Sequence, residues 1–473
     1  MHAVVSRGGR SGGLAGCSVA IAMSFAAPGH AADMAFGSTA GGAPVHRCDL
    51  DGFIELPSTD ICFKIGGHAR LVSGAIDKNW TGDDNYYIYN IAVDGYRAGS
   101  SGTLPNLIAG FQTQTFQTYG QGRVNFDART RTEYGTVRAF VEAQADDDES
   151  RTGGGLDLRH AFVQFGNWTF GKTWSTFVDR DARIRRADPY KVVGDPSGSM
   201  RRSQVRFTQD FGGGISLALA AEDQEYNSPD AAIVGLGPYA PIAIPAATAL
   251  SVVNDSSGMP DFVAALKWER EGVGSAQISG AVHQNKFAEQ QTIGGVPVQS
   301  FSDDQFGFAA LFGLALNVPT GAKDKFTFIA MYADGASNYQ QDLFGTNTDV
   351  VWGRCGAVNC IVDNVTKASV NSSYTHYWTK TVSTTIGAGY GKTGYGATGT
   401  ATAGVLGAPG VLNVSSFEGV ANIQWEPVTN TTLLLDVHYG HVDYNGFDVN
   451  PVQPGIQDSQ GAWTAILQFT REF

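Results

Sequence analysis

The chain of 473 residues is short of charge: Asp, Glu, Lys and Arg make up 16% of it, where soluble globular proteins carry about 25%. Positive charge is the scarcer kind, with 32 Lys and Arg against 45 Asp and Glu and a net charge of −13. General nucleic-acid binding relies on basic surface that displaces counterions, so that class of partner is excluded. Long apolar spans are missing too. A mean hydropathy of −0.12 rules out a bundle of membrane helices, each of which needs about 20 apolar residues in a row. The uncharged run from Ala231 to Leu250 contains Pro238, Pro241 and Pro245; each would remove a helical hydrogen bond, so the run reads as a loop. What the chain has in excess is glycine, 60 residues or about 13% against a usual ~7%, together with 11% aromatics. Glycine and aromatic enrichment points to many strands joined by turns, in a soluble all-β protein or a membrane barrel.

The first residues bear on the compartment. Arg7 and Arg10 precede an apolar stretch from Leu14 to Ala27, and Pro28-Gly29-His30-Ala31 follows with small residues suited to signal-peptidase cleavage. Residues 1–31 therefore read as an export signal, 32–62 as a lead-in and 63–473 as the main domain. Leu14-Ala15-Gly16-Cys17 matches a lipoprotein box, but most of the apolar core comes after Cys17, and the match reads as accidental. Losing Arg7 and Arg10 takes the net charge from −13 to −15. Of five cysteines, four remain, an even number in an oxidising compartment. Cys48 and Cys62 bracket a short loop, and Cys355 and Cys360 lie close together in a Gly/Asn-rich stretch, so two local disulfides are expected. With no histidine at ligand spacing nearby, zinc is not expected.

One pattern then repeats along the chain: eight to fourteen residues of apolar/polar alternation, followed in turn by a tiny connector and a long polar one. Period-two alternation sends successive side chains to opposite faces of a strand. In 120–132, Val124, Phe126 and Ala128 share one face, and Arg123, Asn125, Asp127, Arg129 and Arg131 the other. In 134–145, Val137, Ala139, Val141 and Ala143 oppose Arg138, Glu142 and Gln144. Charges on an inner face do not suit a sandwich core; they suit a barrel with lipid outside and water inside. The candidates are 63–72, 120–132, 134–145, 156–166, 168–173, 202–211, 215–223, 261–269, 274–284, 304–316, 324–333, 369–378, 381–391, 413–426, 431–444 and 461–473. Sixteen is an even number, as in bacterial barrels, and alternating short and long connections are their periplasmic turns and outer loops. The last strand sets Trp463, Ala465, Leu467 and Phe469 on one face and ends on Phe473. Arg471 breaks the apolar side at an interfacial position, where it costs little. Trp168, Tyr377, Trp378, Trp425 and Trp463 are candidates for the interfacial girdles.

The segment CDLDGFIELPSTDIC (48–62) leading into FKIGGHARL, AFVQFGNWTFGKTWSTF (161–177) and the closing GAWTAILQFTREF (461–473) resemble the general porins of alphaproteobacteria, the rhizobial and brucella type. The resemblance covers most of the chain after the leader and is tightest at both ends and around 156–211; the loops 224–260 and 392–412 match nothing in it. It implies an all-β fold, a sixteen-stranded antiparallel transmembrane β-barrel with a third loop folded inward. It implies a homotrimer in the cell outer membrane, inserted by the barrel assembly machinery among lipid and lipopolysaccharide. Trp463, Leu467, Phe469 and Phe473 would form the C-terminal assembly signal. The implied activity is passive diffusion of small hydrophilic solutes, with no catalytic residue, cofactor or metal.

By the same resemblance the third loop runs from just after Lys172 to near Arg202. It holds eight basic residues, Lys172, Arg180, Arg183, Arg185, Arg186, Lys191, Arg201 and Arg202, and four acids, Asp179, Asp181, Asp188 and Asp195. Charged side chains in a narrow water-filled tube set its field, because the surrounding low dielectric screens them poorly. The neighbouring strands add Arg70, Arg123, Arg129, Arg131, Arg138 and Arg159. Porins of this kind set acids on the loop against a basic wall, whereas here the loop itself is arginine-rich. The expectation is a constriction of opposed charges tilted toward anions. Against it stands local pairing of these arginines with Asp179, Asp181 and Asp188, or a helical face shared by Arg180, Arg183 and Arg186.

Other motifs carry less. Gly166 to Thr173 satisfies the P-loop expression G-x-x-x-x-G-K-[ST], but Trp168 and Phe170 fit a short strand better than a phosphate nest, and no βαβ unit surrounds them. Asp146-Asp147-Asp148-Glu149 reads as a solvated outer loop rather than a cation site. His438 and His441, three apart, fall on opposite faces of a strand. A barrel hydrolase or a non-conducting adhesin remains the alternative to a pore.

Overall fold

The computed structural model describes Cys48 and residues 52–57, 59–76, 116–147, 156–187, 192–196, 200–224, 250–254, 258–293, 296–321, 323–340, 349–355, 358–394, 413–445 and 459–473. Sixteen strands form the wall: β1 (Cys62–Ile76), β2 (Phe116–Thr132), β3 (Gly135–Asp146), β4 (Leu156–Phe165), β5 (Trp168–Trp174), β6 (Arg201–Gly212), β7 (Ile215–Glu222) and β8 (Asp261–Arg270). They continue as β9 (Gly274–Ile293), β10 (Val296–Asn317), β11 (Lys325–Asp334), β12 (Thr366–Tyr377), β13 (Val382–Gly394), β14 (Asn413–Trp425), β15 (Thr431–Asn445) and β16 (Ser459–Glu472). Each pairs antiparallel with the next. The ring closes where β1 pairs with β16, from His68 opposite Glu472 to Ile76 opposite Thr464. Closure removes the open edges that lipid would leave unsatisfied.

The alternation sorts as expected. Ile65, Leu71, Phe126, Val141, Val163 and Phe170 point outward and are exposed, while Asp127, Arg129, Arg138, Glu142 and Gln144 are buried on the inner face. Trp168, Trp378 and Trp425 are exposed at the end with short turns and Trp463 at the other. Tyr377 does not join them: it faces inward, and its hydroxyl accepts a hydrogen bond from Arg185 at 2.9 Å. The P-loop-like segment is a hairpin, with Trp168 and Phe170 stacked at 6.1 Å on the outer face.

Four strands among the described residues lie beyond the expected set. Residues 285–293 and 296–303 extend β9 and β10 as paired strands, and Leu250–Asn254 adds to their side by pairing with Phe287 to Gln291. Val350–Cys355 and Val358–Asn364 form a separate hairpin within the connection after β11. Its backbone register places Cys355 opposite Val358 and Cys360 opposite Gly353; the side chains of these cysteines lie outside the described residues. Cys48 and Cys62 are joined by a disulfide. It ties the lead-in to β1, where Ile54–Glu55 pairs with Phe63 and Cys62.

The inner face differs around the ring. Along β1–β4 it is charged. Along β7–β11 it carries a row of small apolar residues in direct register: Ala220 opposite Val263, then Ala281, Ala309 and Ala333. These five pack with Phe177, Val178, Ala182, Met200, Leu311, Ile329, Met331, Ala336 and Tyr339 in one buried cluster.

Candidate functional site: the charged inner face

On β1–β4, Arg70, Arg123, Arg129, Arg138 and Arg159 each have an acceptor. Arg129 and Arg138 are cross-strand neighbours, and Asp127 grips both. Arg129 donates to it at 3.0 and 2.7 Å and Arg138 at 3.0 and 2.9 Å. Arg159 donates to Glu142 at 3.0 Å, and Arg123 to Gln144 at 3.0 Å with Glu142 at 3.7 Å. Arg70 donates to Thr470 and to Gln121, each at 3.1 Å. Arg131, beside the β2–β3 turn, is exposed at the short-turn end. The face is thus a basic wall with two interposed carboxylates.

The connection between β5 and β6 lies against inner-face residues of distant strands. Asp181 receives Lys267 Nζ at 2.6 Å and Ser275 Oγ at 3.2 Å. Arg185 donates to Ser383 and Tyr377 at 2.6 and 2.9 Å, and its carbonyl accepts from Asn422 at 2.7 Å. The backbone N–H of Ala187 donates to Asp436 at 2.6 Å and that of Val193 to Glu418 at 2.9 Å. His438 sits between those two carboxylates, 2.8 Å from each. Residues 179–187 contain no helix, so the shared helical face is absent. Asp188 and Lys191 lie outside the described residues.

Among the described residues the loop's Arg183 and Arg186 pair with an acid of the loop itself. Arg186 pairs with Asp195, which also has Arg183 at 3.7 Å. Trp174, at the end of β5, is faced by three guanidinium groups: Arg201 at 3.8 Å, Arg180 at 4.9 Å and Arg183 at 5.9 Å from the ring centroid. Such groups are attracted by the negative face of the indole. Asp179 is buried against Gly313; burial, with the charge of Asp181 beside it, pushes its carboxyl up to about 6. Arg202 turns away from this group to Asp261 at 2.7 Å.

Alternation located the arginines but not what they meet. Lys267, Glu418, Asp436 and His438 enter through contacts between residues far apart in the chain, Asp195 through its place in the same loop, nine residues from Arg186, and Trp174 through its position at a strand end. The only local hint was a carboxylate on the same strand face as the arginines, as for Asp127. Of the acidic knot, Asp147 binds the Gly120 backbone N–H, and Asp148 and Glu149 lie outside the described residues.

Comparison with known proteins agrees with this architecture. Porin Omp2a of Brucella canis is 26% identical over 184 residues, 38% of this chain and 46% of that protein. Porin Omp2a of Brucella ovis is 25% identical over 181 residues, 38% and 49% of the two chains. The chain thus spans about half the length of the curated relatives it matches. The crystal structure of the outer membrane channel DcaP of Acinetobacter baumannii shares the fold, with a TM-score of 0.58 at 17% identity over 87% of this chain and 97% of that one. The model of the porin subfamily matches residues 44–466, and the chain, a closed sixteen-stranded barrel of the outer membrane, belongs to that subfamily.

Proposed function

We propose that the protein is a porin through which ions and small hydrophilic solutes diffuse passively, with the described part of the connection between β5 and β6 narrowing the channel. The observation that carries the reading is the inner wall: apolar residues face outward around a closed ring while arginines, carboxylates, hydroxyls and amides line the inner face of β1–β4 and β12–β16. Such a wall makes sense only around water. Passage through it requires no bond to be made or broken, hence no catalytic group and no cofactor.

The constriction lies between the β1–β4 wall, with Arg70, Arg123, Arg129, Arg138 and Arg159, and the cations gathered on Trp174. Asp127 and Glu142 offset part of the wall's charge, so the field is mixed with a tilt toward anions. The protein works as a homotrimer, delivered by its cleaved leader to the periplasm and inserted by the barrel assembly machinery among lipid and lipopolysaccharide. Planar-bilayer recording of refolded protein across a roughly tenfold KCl gradient tests this. Stepwise conductance closing in triplets, with a reversal potential of the sign for anions, is expected. Silence from demonstrably folded barrel would overturn the reading in favour of a non-conducting barrel.

A further inference from the structure

We propose that residues 336–340 form a second lumenal insert, which together with Phe177 and Val178 fills the β7–β11 half of the barrel and confines water and solute to the arginine-lined half. The inference rests on the porin reading, since a lumen must conduct for one half of it to be closed.

Side-chain size along the inner wall is the first observation. In a channel of this kind, inner positions facing water are expected to be polar. The cross-strand row Ala220, Val263, Ala281, Ala309, Ala333 is instead apolar and small, and all five are buried. Small residues leave a recess, and two aromatic rings occupy it. Phe177 and Tyr339 meet edge to face at 4.8 Å, and both are wholly buried. A ring inserted among alanines is how a packed interior fills its volume without voids.

The backbone is shaped for the same purpose. After β11 the chain turns at Gly335, with φ of +63°, and passes so close to β10 that a Cβ on Gly307 would stand 2.0 Å from the Gly335 carbonyl oxygen. That oxygen accepts from Asn285 at 2.6 Å. One rung from the apolar row, a buried polar group pins the insert. Asp261 receives the Tyr339 hydroxyl at 2.6 Å, Arg202 at 2.7 Å and a ring nitrogen of His283 at 2.7 Å. Arg202 also stacks over the Tyr339 ring at 4.7 Å. Because Arg202 follows the third loop directly, both inserts end on the same carboxylate.

The test is thiol labelling with a membrane-impermeant charged methanethiosulfonate, read peptide by peptide by mass spectrometry on refolded trimers or monomers as they form. Asn125→Cys, on the arginine wall, reports whether the lumen holds water. Ala281→Cys, with Ala309→Cys as its register partner should the first not fold, reports on the filled half. We expect Asn125→Cys to react and Ala281→Cys to react at least ~10-fold more slowly, as a packed interior dictates. Adding Tyr339→Ala should bring Ala281→Cys up to the rate of Asn125→Cys and raise single-channel conductance. If Ala281→Cys reacts as fast as Asn125→Cys in the otherwise unaltered chain, or stays protected in the Tyr339→Ala variant, the insert does not fill that half. An unreactive Asn125→Cys would instead count against the conducting lumen itself.

Discussion

Asp127 illustrates what a charged inner wall asks of one side chain. Arg129 and Arg138 stand directly opposite each other on neighbouring strands, a like-charge pair that is unfavourable by itself. The carboxylate accepts four hydrogen bonds from the two guanidinium groups, and all three side chains are largely buried. Removing one member of a buried charge group costs about 3–5 kcal/mol. Asp127→Asn should therefore destabilise the barrel by about that much in urea unfolding, whereas Arg138→Gln added to Asp127→Asn should recover part of the loss. A loss no smaller in the double variant would show that the two arginines do not repel. Asp179 makes a prediction in pH. Its carboxyl is raised to about 6, above the ordinary aspartate value, so between those values the native protein holds a proton that the unfolded chain has released. Stability from this group is present in acid and falls as pH rises through about 6. Over the same window the loop gains a negative charge, so the reversal potential should drift away from anion preference, and Asp179→Asn should flatten that drift. An unchanged titration in Asp179→Asn would assign the step to another group.

At the scale of the element, the third loop is held by its backbone as much as by its arginines. Ala187 and Val193 each give an N–H to a carboxylate on the far wall, and His438 links those carboxylates. A hydrogen bond to a charged group contributes about 1.5–3 kcal/mol, so Glu418→Ala with Asp436→Ala should loosen the loop by roughly 3 kcal/mol or more. The expected readout is higher open-channel noise with folded mobility on gels retained; quiet channels would place the tether elsewhere. Strands of this barrel were legible because alternation is local: Phe126 beside Asp127 already announces two faces. The tether was not, because Ala187 and Asp436 are joined by folding and neither residue type marks the pairing. The filled half left a partial trace. In FGFAALFGLAL (306–316) both strand faces are apolar, the pattern of a strand covered on each side, although nothing in the sequence identifies Tyr339 as part of the cover.

The molecule as a whole depends on one seam, where the first strand meets the last. Beyond the end of β16, Phe473 exchanges two backbone hydrogen bonds with Gly67, each 3.1 Å. A Cβ on Gly67 would lie 2.1 Å from the Arg123 carbonyl oxygen and 2.9 Å from the Phe473 ring, so the seam admits only glycine there. The ring of Phe473 is 65% exposed and contributes little burial to the monomer. Backbone and ring can therefore be separated. Gly67→Val should prevent closure itself: the compact, heat-modifiable species should be lost both in refolding from urea and in cells, since an unclosed edge leaves hydrogen-bonding groups unsatisfied in lipid. Phe473→Ala keeps the backbone pair, so refolding into detergent and the urea midpoint should barely change, by about 0.5 kcal/mol at most for a surface site. If the terminal ring is also what the assembly machinery reads, the same variant should be depleted from outer membranes. A variant that refolds normally yet fails to accumulate would separate the signal from the seam; one that does both normally would leave Phe473 as a closing residue and nothing more.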